Sequence, residues 1–415
     1  MLPDASDSGE QPVAAAPLPS DGQPMLTAQA AILIDAETGL TLWERNSTER
    51  NFPASTTKMM TALLCAEKLD PNQVVIVSER AAKIGESSMN LETGEKLRVH
   101  DLLLGLLLNS ANDGAVAIAE AVAGDHDSFI AMMNRRAAQM GMTGTHFENP
   151  HGLHSEKHYS TARDLAVLGR AVMAVPLLAR ITATKEAVIP WPGKPWDRTL
   201  KNSNRLLGRW DAADGVKTGY TRHAGRCLVA SATEDGWRLI AVCLSCKDAW
   251  TDAQTLLEWG YANHRRTSIV SPGPVPYACP VEKGRHDSVS VIADGQLILP
   301  VRLDEAPPTP DPQFEAIEAP VSQGQVVGRL CVSHMGAEYE VPLVADEEVR
   351  KSLWATIADS GMMGNLMLLL AVFSAGVLFH GAATKVAGAR RHRLAQTRRK
   401  AHSRGPRERE WHDGY

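Results

Sequence analysis

The chain has 415 residues, 44% hydrophobic and 22% charged, which is typical of folded globular proteins, and its length predicts two domains with appendages rather than one core. Its formal net charge of −5 combines a basic segment at residues 385–415, with ten Lys and Arg against three acidic residues, with about −12 over the rest of the chain. The acidic body is poorly suited to nucleic acid, whereas the basic segment suits an anionic membrane surface.

The N-terminal region divides into a polar leader and a first hairpin. Residues 1–27 are rich in Ala, Pro, Ser, Gly and Asp without apolar periodicity, which predicts a disordered leader. They lack the basic start and apolar stretch of a secretory signal. Apolar runs at residues 30–34 and 40–43, separated by the turn Glu37-Thr38-Gly39, predict a β-hairpin. It opens a catalytic domain that we expect to span residues 28–265.

Helices fill the middle of this predicted domain. The spacing of Met59, Leu63 and Leu64 predicts a helix over residues 55–68, with Ser55 in its first turn and Lys58 one turn along the same face. Further helices are predicted over residues 102–108, 115–123 and 251–261, and another that opens at Thr161 with a capping-box-like pattern. The break at residues 109–114 places Ser110 and Asn112 on a loop edge.

Strands return near the end of the same domain. They are predicted over residues 226–231 and 238–245, joined around Glu234-Asp235-Gly236. Lys217-Thr218-Gly219 lies just ahead of this strand set or on its first member. Strands at both ends with helices between them predict an α+β domain, in which one antiparallel sheet is flanked by a helical cluster.

A proline-rich joint at residues 271–280 marks a predicted domain boundary. The segment 271–345 is expected to form a small β-rich domain without a catalytic constellation. Its short alternating strands are predicted over residues 289–292, 296–301, 326–332 and 339–344.

The C-terminal region has the pattern of a membrane anchor. Residues 346–360 are expected to form a membrane-proximal amphipathic helix, with the pattern clearest over residues 346–358. Residues 361–383 follow without a formal charge and are long enough to cross a bilayer core of ~30 Å. A buried soluble helix is the alternative, but the arginine run that follows favours a transmembrane helix. The Lys and Arg excess places the tail, residues 384–415, in the cytoplasm and the body outside.

A body outside the membrane needs export, although residues 1–27 show no signal. Two interpretations stay open: the printed start lies downstream of a missing signal segment, or the predicted topology is wrong. We favour the first as a hypothesis.

Cysteines and histidines do not indicate a metal or another cofactor. Six cysteines are scattered without metal-ligand spacing, and the pair Cys243 and Cys246 lies inside an apolar, strand-like run. A buried structural role is favoured for them over a disulfide. The histidines most suggestive of a metal lie in one predicted loop but lack the H-E-x-x-H spacing: His146, His151, His154 and His158. We predict a structured loop beside the active-site cleft.

Three short motifs carry the chemistry of the chain. Ser55-Thr56-Thr57-Lys58, Ser110-Ala111-Asn112 and Lys217-Thr218-Gly219 spell S-x-x-K, S-x-N and K-T-G in the order known for acyl transfer through an acyl-serine. Each motif alone is common by chance. Together and in this order they indicate catalysis. The alternative is that Ser55 only caps a helix, Lys58 is a solvated lysine and Lys217 is a strand-edge charge.

The residue types fit defined roles in that chemistry. Ser55 is the predicted nucleophile, and Lys58 can act as its general base if burial or another cation, such as Lys217, keeps it neutral. Ser110 can relay a proton to the leaving amine, and Asn112 can hold a substrate amide.

A second group of residues is predicted to bind the substrate. Lys217 and Thr218 offer a charge and a hydroxyl to a substrate carboxylate, while Gly219 lets the substrate backbone approach the strand closely. The backbone amides of Ser55 and Tyr220 are expected to form the oxyanion hole.

At this point the sequence resembles the serine D-alanyl-D-alanine carboxypeptidases, the low-molecular-mass penicillin-binding proteins of peptidase family S11. The resemblance covers residues 28–265 and includes the segments 52–58, 149–153, 160–165 and 214–221. It implies a β-lactamase/transpeptidase-like fold, with a helical lobe on a five-stranded antiparallel sheet, followed by a β domain and a membrane-proximal helix. It also implies removal of the terminal D-alanine from peptidoglycan stem pentapeptides through acyl-Ser55, and trapping of that serine by β-lactams.

The resemblance implies the same residue roles. Lys58 is the base, Ser110 and Asn112 serve as proton relay and substrate contact, and Lys217 and Thr218 bind the carboxylate. Some relatives place an arginine just before the helix that corresponds to residues 251–261. This sequence departs from them, because residues 247–250 contain only Lys247 as a basic residue. We therefore expect carboxylate recognition to rest on Lys217 and Thr218 alone. Many relatives also lie on the membrane surface, whereas this chain is predicted to span the membrane.

Three alternatives remain beside this interpretation. A class A β-lactamase shares the motifs but needs a glutamate that activates a deacylating water, and no clear E-x-x-L-N pattern lies between Asn112 and Lys217. A related peptidoglycan endopeptidase, which cuts cross-links instead of stem termini, stays open. A non-enzymatic wall-binding scaffold is opposed by the intact motif residues.

Overall fold

The computed structural model describes residues 22–360 and 362–402, with side chains for residues 22–360 and 364–395. The predicted leader therefore lies outside the described residues up to position 21. Its remainder, residues 22–27, makes specific contacts that the predicted disorder does not include. Thr27 Oγ1 donates a hydrogen bond to Asp252 Oδ2 at 2.7 Å, and Trp259 Nε1 donates one to the carbonyl of Gly22 at 2.6 Å.

The described chain divides into two compact units. The first contains residues 22–269, 297–309 and 333–337, and the second contains residues 270–296, 310–332 and 338–402.

The first unit is built on a five-stranded antiparallel sheet with the strand order β2-β1-β9-β8-β7. Its strands are β1 (Ala30–Asp35), β2 (Thr41–Arg45), β7 (Ala213–Thr221), β8 (Gly225–Glu234) and β9 (Trp237–Cys246). The predicted first hairpin and the α+β fold class are confirmed. The sequence left open whether Lys217-Thr218-Gly219 lies on a strand or just ahead of one. It lies on the edge strand β7.

Helices cover both faces of this sheet. The helices of the first unit are α1 (Lys58–Lys68), α2 (Glu79–Lys83), α3 (Val99–Leu107), α4 (Asn112–Ala123), α5 (His126–Gln139), α6 (Ala162–Ala174), α7 (Pro176–Ala183), α8 (Leu206–Arg209) and α9 (Ala249–Asn263). Side chains alternate along the strands, so that Ile32 and Val242 join the core of the helical lobe, while Leu33 and Ala241 pack in the core with α9.

Three two-stranded ribbons complete the first unit: β3 (Val74–Ile76) with β4 (Lys96–Arg98), β5 (Glu186–Ile189) with β6 (Arg198–Lys201), and β10 (His264–Val270) with β13 (Leu297–Arg302). The strand β13 was predicted over residues 296–301 as part of the small β domain, and that placement is wrong. It pairs with β10 and belongs to the first unit. Alternation along a strand predicts its existence but does not identify its partner.

The second unit contains a six-stranded sheet with the order β14-β16-β17-β12-β11-β15. Its strands are β11 (Gly273–Glu282), β12 (Ser288–Ala293), β14 (Asp311–Phe314), β15 (Ile317–Glu318), β16 (Val326–His334) and β17 (Ala337–Ala345). A separate β domain is therefore present. The segment 271–280, predicted as a proline-rich joint, instead forms most of β11. The register of β11 against β12 shifts between Pro274 and Ala278, where prolines lack an N–H for the ladder.

The C-terminal part of the second unit is helical. The helix α10 (Leu353–Asp359) begins seven residues after the start of the predicted amphipathic helix at Asp346. This prediction is wrong at its N-terminal half, because Val349 forms a β-bridge to Val321 and Ser352 caps the helix by accepting from the amide of Ala355.

The final helix, α11 (Met362–His402), runs for 41 residues, beyond the predicted end of the membrane span at residue 383. In the described part of the chain, Gly364–Ala395 is the one continuous helical segment long and apolar enough to cross a membrane. The predicted cytoplasmic tail, residues 384–415, lies outside the described residues from position 403 onward.

All six cysteines are free thiols, and five of them are buried: Cys65, Cys227, Cys243, Cys246 and Cys279. No disulfide bond links any two of the six in this structure.

Candidate active site

Ser55 lies on a tight turn at the start of α1. Residues Ala54–Thr57 form one turn of 3-10 helix, and the hydroxyl of Thr56 donates to the carbonyl of Pro53 at 2.7 Å. Ala54 has a φ of +48°, which is unusual for a residue with a side chain. The turn thus presents Ser55 at the edge of the helical lobe. The sequence predicted a helix from Ser55 onward, whereas the α-helix α1 begins three residues later, at Lys58.

Gly152 closes against this turn from the loop at residues 146–158. Its φ is +89°, and a Cβ at this position would lie only 1.9 Å from the carbonyl oxygen of Ala54. A side chain cannot be accommodated at that distance. The close approach explains why Asn149-Pro150-His151-Gly152 requires glycine at its last position.

Lys58 connects the elements of the site. Its side chain is 0% exposed, and its Nζ donates to Ser55 Oγ at 3.0 Å, to Asn112 Oδ1 at 2.8 Å and to the carbonyl of His151 at 2.7 Å. The ammonium group is therefore held by acceptors from three different segments of the chain. The structure brings together Ser55, Lys58 and Asn112 as the motifs predict.

Burial controls the proton affinity of both catalytic-site lysines. The pKa of Lys58 lies well below its usual value, first because burial penalises the ammonium form and then because Lys217 is nearby. Asp113 and Glu86 oppose this shift. The pKa of Lys217 is lowered to about 7 by burial. Both lysines can thus reach the neutral state at a much lower pH than exposed lysines do.

The S-x-N motif lies on a strained bend before α4. Ser110 has a φ of +60°, and α4 begins at Asn112, so that the predicted break at residues 109–114 is shorter than expected. Asn112 Nδ2 donates to the carbonyl of Gly85 at 2.9 Å, and its backbone N–H donates to the carbonyl of Ser87 at 2.7 Å. These bonds fix the loop 85–87 to the catalytic motif. Ser110 borders the cleft without a hydrogen bond to Lys58.

The edge strand β7 forms the opposite wall of the site. Thr218 Oγ1 shares a hydrogen bond with Ser203 Oγ at 2.7 Å, and Lys217 Nζ donates to the carbonyl of Thr218 at 3.1 Å. A Cβ on Gly219 would lie 3.1 Å from the backbone nitrogen of Ser55. Glycine therefore lets the strand approach the turn that carries Ser55, and the next residue, Tyr220, lines the same cleft as Ser55.

A cleft of about 410 Å³ opens over Ser55. Lys58, Asn112 and Lys217 are buried and are not among its lining residues, whereas the other predicted site residues line its wall. The lining residues are Ser55, Glu86, Ser87, Asn109, Ser110, Ser203, Thr218, Gly219, Tyr220, Arg226, Cys227, Leu228, Ala249 and Trp250. Glu86 and Arg226 are the two charged side chains of this lining.

Sequence reasoning missed Arg226 as a residue of the cleft. Arg226 lies directly opposite Tyr220 in the β7–β8 pair, and its Nη1 donates to the carbonyl of Lys247 at 3.0 Å. The expectation that Lys217 and Thr218 stand alone as carboxylate binders therefore overlooked a nearby guanidinium. The turn between Thr221 and Gly225 pairs Tyr220 with Arg226. This pairing is the sequence signal that could have identified Arg226 as a residue of the cleft.

The histidines form a structured loop beside the turn. His158 accepts a hydrogen bond at Nδ1 from the amide of Glu148, so its Nε2–H is the donor to Thr57 Oγ1 at 2.8 Å. Burial lowers the pKa of His151 and that of His158 to about 3, which keeps both rings neutral. Within the described side chains, no group of three or more His, Cys, Asp or Glu residues is arranged to hold a metal ion.

A serine in contact with a buried lysine, on a five-stranded antiparallel sheet with a helical lobe, defines the penicillin-recognising class of serine hydrolases. The sequence model of the D-alanyl-D-alanine carboxypeptidases, peptidase family S11, matches residues 19–248. The chain belongs to this family, whose members are serine hydrolases that bind β-lactams.

Individual relatives agree with the family assignment. D-alanyl-D-alanine carboxypeptidase DacF of Bacillus subtilis is 32% identical over 349 residues, which cover 81% of this chain and 89% of the relative. DacC of Escherichia coli, also a D-alanyl-D-alanine carboxypeptidase by name, is 35% identical over 353 residues, which cover 79% and 86%. The crystal structure of penicillin binding protein 5 from Haemophilus influenzae matches with a TM-score of 0.66 at 30% identity, over 79% of this chain and 99% of that one.

Proposed function

We propose that this chain removes the terminal D-alanine from peptidoglycan stem pentapeptides through an acyl-Ser55 intermediate. The observation that carries the proposal is the contact of 3.0 Å between Lys58 Nζ and Ser55 Oγ, made by a fully buried lysine whose pKa is depressed. A serine hydroxyl is a weak nucleophile, and a neutral amine at this distance is a competent base.

Acylation begins with proton transfer from Ser55 to Lys58. A neutral Lys58 retains two N–H bonds, which suit Asn112 Oδ1 and the carbonyl of His151, and its lone pair then faces the hydroxyl of Ser55. As Ser55 Oγ bonds to the carbonyl carbon of the penultimate D-alanine, Lys58 takes the proton. We assign the stabilisation of the developing oxyanion to the backbone amides of Ser55 and Tyr220, and the close approach of Gly219 to the turn supports this assignment.

Collapse of the tetrahedral intermediate formed by this attack breaks the peptide bond. The proton on Lys58 passes through the hydroxyl of Ser110 to the leaving nitrogen, which departs as the amine of D-alanine. A water then attacks the acyl-Ser55 ester with Lys58 again as the base. The products are D-alanine, a stem tetrapeptide and the regenerated serine. A β-lactam follows the first half of this sequence and leaves a slowly hydrolysed acyl-enzyme.

The terminal carboxylate of the substrate needs positive charge. Lys217 has a pKa of about 7, so its ammonium is only partly populated near neutral pH. The hydroxyl of Thr218 and the guanidinium of Arg226 line the same wall of the cleft. We therefore assign the carboxylate to Thr218 and Arg226 together with Lys217, in place of Lys217 and Thr218 alone.

The C-terminal apolar helix suggests membrane anchoring, and we propose a specific topology for it. The apolar residues 364–383 of α11 cross the membrane, the basic residues from Lys385 onward remain in the cytoplasm, and the catalytic unit faces the cell wall. Leu353 and Trp354, each 72% exposed on α10, would lie near the interface that aromatic and apolar side chains favour. This placement gives the active site access to its polymeric substrate.

The proposal is tested by mass spectrometry of the products from a defined stem pentapeptide. Release of one D-alanine and a tetrapeptide, abolished by prior treatment with penicillin, is the expected result. An intact pentapeptide would contradict the proposal. Rapid hydrolysis of penicillin without release of D-alanine would point to a β-lactamase, and cleavage confined to cross-linked dimers would point to an endopeptidase.

A further inference from the structure

The two charged side chains that line the cleft come from opposite walls. Arg226 belongs to the wall formed by the sheet and the start of α9, whereas Glu86 belongs to the wall formed by the helical lobe, with Ser87, Asn109 and Ser110. The substrate carboxylate is attracted by the first wall and repelled by the second. A bound peptide is thereby oriented with its terminal carboxylate away from Glu86.

The position of Glu86 is fixed by the catalytic machinery itself. The carbonyls on either side of it, those of Gly85 and Ser87, both accept hydrogen bonds from Asn112, at 2.9 and 2.7 Å. Asn112 in turn accepts from Lys58 at 2.8 Å. Glu86 also has a φ of +67°, which is uncommon for a residue with a side chain. These hydrogen bonds fix the backbone on both sides of Glu86. Its carboxylate therefore has a defined place on the cleft wall.

The carboxylate of Glu86 is exposed and available to a ligand. Among the described residues, Glu86 has no hydrogen-bond or ion-pair partner. The carboxylate of Glu79 on α2, by contrast, forms an ion pair with Lys83. Glu86 lines the cleft that opens over Ser55, and its negative charge favours the ammonium form of Lys58. An unpaired carboxylate that borders a peptide-binding cleft is suited to a substrate cation.

We propose that Glu86 forms a subsite for a side-chain ammonium group on the acyl part of the peptide, the part that becomes attached to Ser55. This inference rests on the proposed carboxypeptidase function and adds a selectivity to it. The enzyme prefers stem peptides that carry a free amine ahead of the D-Ala-D-Ala pair. Because the carboxylate is exposed, the preference is modest, roughly twofold to fivefold in kcat/KM at low salt, and it weakens as salt screens the pair.

The test compares two peptides that differ only in this charge: Nα-acetyl-L-Lys-D-Ala-D-Ala and the same peptide with its Nε also acetylated. The readout is the ratio of their kcat/KM values for D-alanine release. The native chain should favour the free amine by the stated factor, Glu86→Gln should bring the ratio close to one, and Glu86→Lys should reverse it. The matched control is Glu79→Gln, which removes an equal charge outside the cleft lining and should keep the native ratio.

The ratio separates this role from others. Any action of Glu86 through the pKa of Lys58, or as a base in deacylation, changes both rates by the same factor and leaves the ratio as in the native chain. A ratio of one in the native chain, or an unchanged ratio in Glu86→Gln, would overturn the subsite while D-alanine release continued to support the proposed function. No release of D-alanine from either peptide by the native chain would overturn both.

Discussion

Lys58 and Lys217 lose nearly all contact with solvent in the folded chain, with exposures of 0% and 1%. In water each would be an ordinary cation, and neither could act as a base near neutral pH. Burial lowers the pKa of both, and their proximity lowers that of Lys58 further. In the proposed mechanism the reactivity of Ser55 therefore depends on the burial of both lysines, which the motifs alone do not show.

At the residue scale, Arg226→Gln tests the assignment of the substrate carboxylate. Loss of a charged hydrogen bond costs about 1.5–3 kcal/mol, so we expect kcat/KM for D-Ala-D-Ala peptides to fall roughly tenfold to a hundredfold. The loss should be smaller for a peptide whose C-terminus is amidated, because that peptide has no charge to bind. Steady-state assays of both peptides measure the difference.

The matched control is Arg222→Gln, on the turn that joins the same two strands but outside the cleft lining. It should leave both rates near their native values. Equal losses for the acid and the amide in Arg226→Gln would assign Arg226 a structural role only.

At the scale of elements, the contact between the loop at residues 146–158 and the nucleophilic turn is the most constrained. Gly152→Ala would place a Cβ 1.9 Å from Ala54 O while φ is +89°. We expect a loss of about 3 kcal/mol in the free energy of unfolding, from strain and overpacking together, with slower acylation of Ser55. Urea unfolding and penicillin-binding rates measure the two effects.

Gly141→Ala is the matched control, since Gly141 has a φ of +75° and open space around its Cβ. It should cost only the backbone strain, about 1 kcal/mol, and leave acylation unchanged. If the two variants behave alike, the close packing of Gly152 does not position the turn.

The same loop predicts a dependence of stability on pH. The pKa values of His151 and His158 are lowered to about 3 in the folded state, whereas unfolding exposes them and restores values near ~6.5. The unfolded state therefore binds more protons below pH ~6.5, and their contribution to stability is present above that pH and is lost progressively as the pH falls toward 3.

Each of these histidines should add a slope of about 1.4 kcal/mol per pH unit to the free energy of unfolding within this window. Urea unfolding between pH 6.5 and 5, where most carboxyl groups remain ionised, measures it. His158→Gln should reduce the slope by about 1.4 kcal/mol per pH unit. A free energy of unfolding that stays constant across this range would contradict the neutral, buried state of the two rings.

Much of the fold and site was predictable because local patterns determine it. The apolar run in Ala30–Asp35 and the apolar spacing in α1 identify their elements, and the three motifs identify the residues around Ser55. What failed depends on partners distant in sequence. The strand β13 pairs with β10 rather than with the β domain, and Arg226 reaches the cleft only through the register of β7 and β8. The prolines of β11 obscured a strand that has an irregular register.

At the scale of the whole molecule, the helix α11 predicts where the protein is found in the cell. A chain that ends at Ser360 lacks Gly364–Ala395, the apolar segment able to cross a membrane. We expect the full chain in the membrane fraction and the shortened chain in the soluble fraction, with fluorescent penicillin labelling both. Membrane association that persists in the shortened chain would contradict anchoring by α11.

The central claim is that Ser55 becomes acylated with Lys58 as its base. Peptide mapping by mass spectrometry after exposure to penicillin tests it most directly, in the native chain, in Lys58→Ala and in the control Lys68→Ala, which removes an exposed lysine from the same helix. We expect one penicilloyl group on Ser55 in the native chain and the control. In a folded Lys58→Ala variant, acylation should be at least about a hundredfold slower. An adduct on another residue, or native-like acylation of Lys58→Ala, would contradict the account.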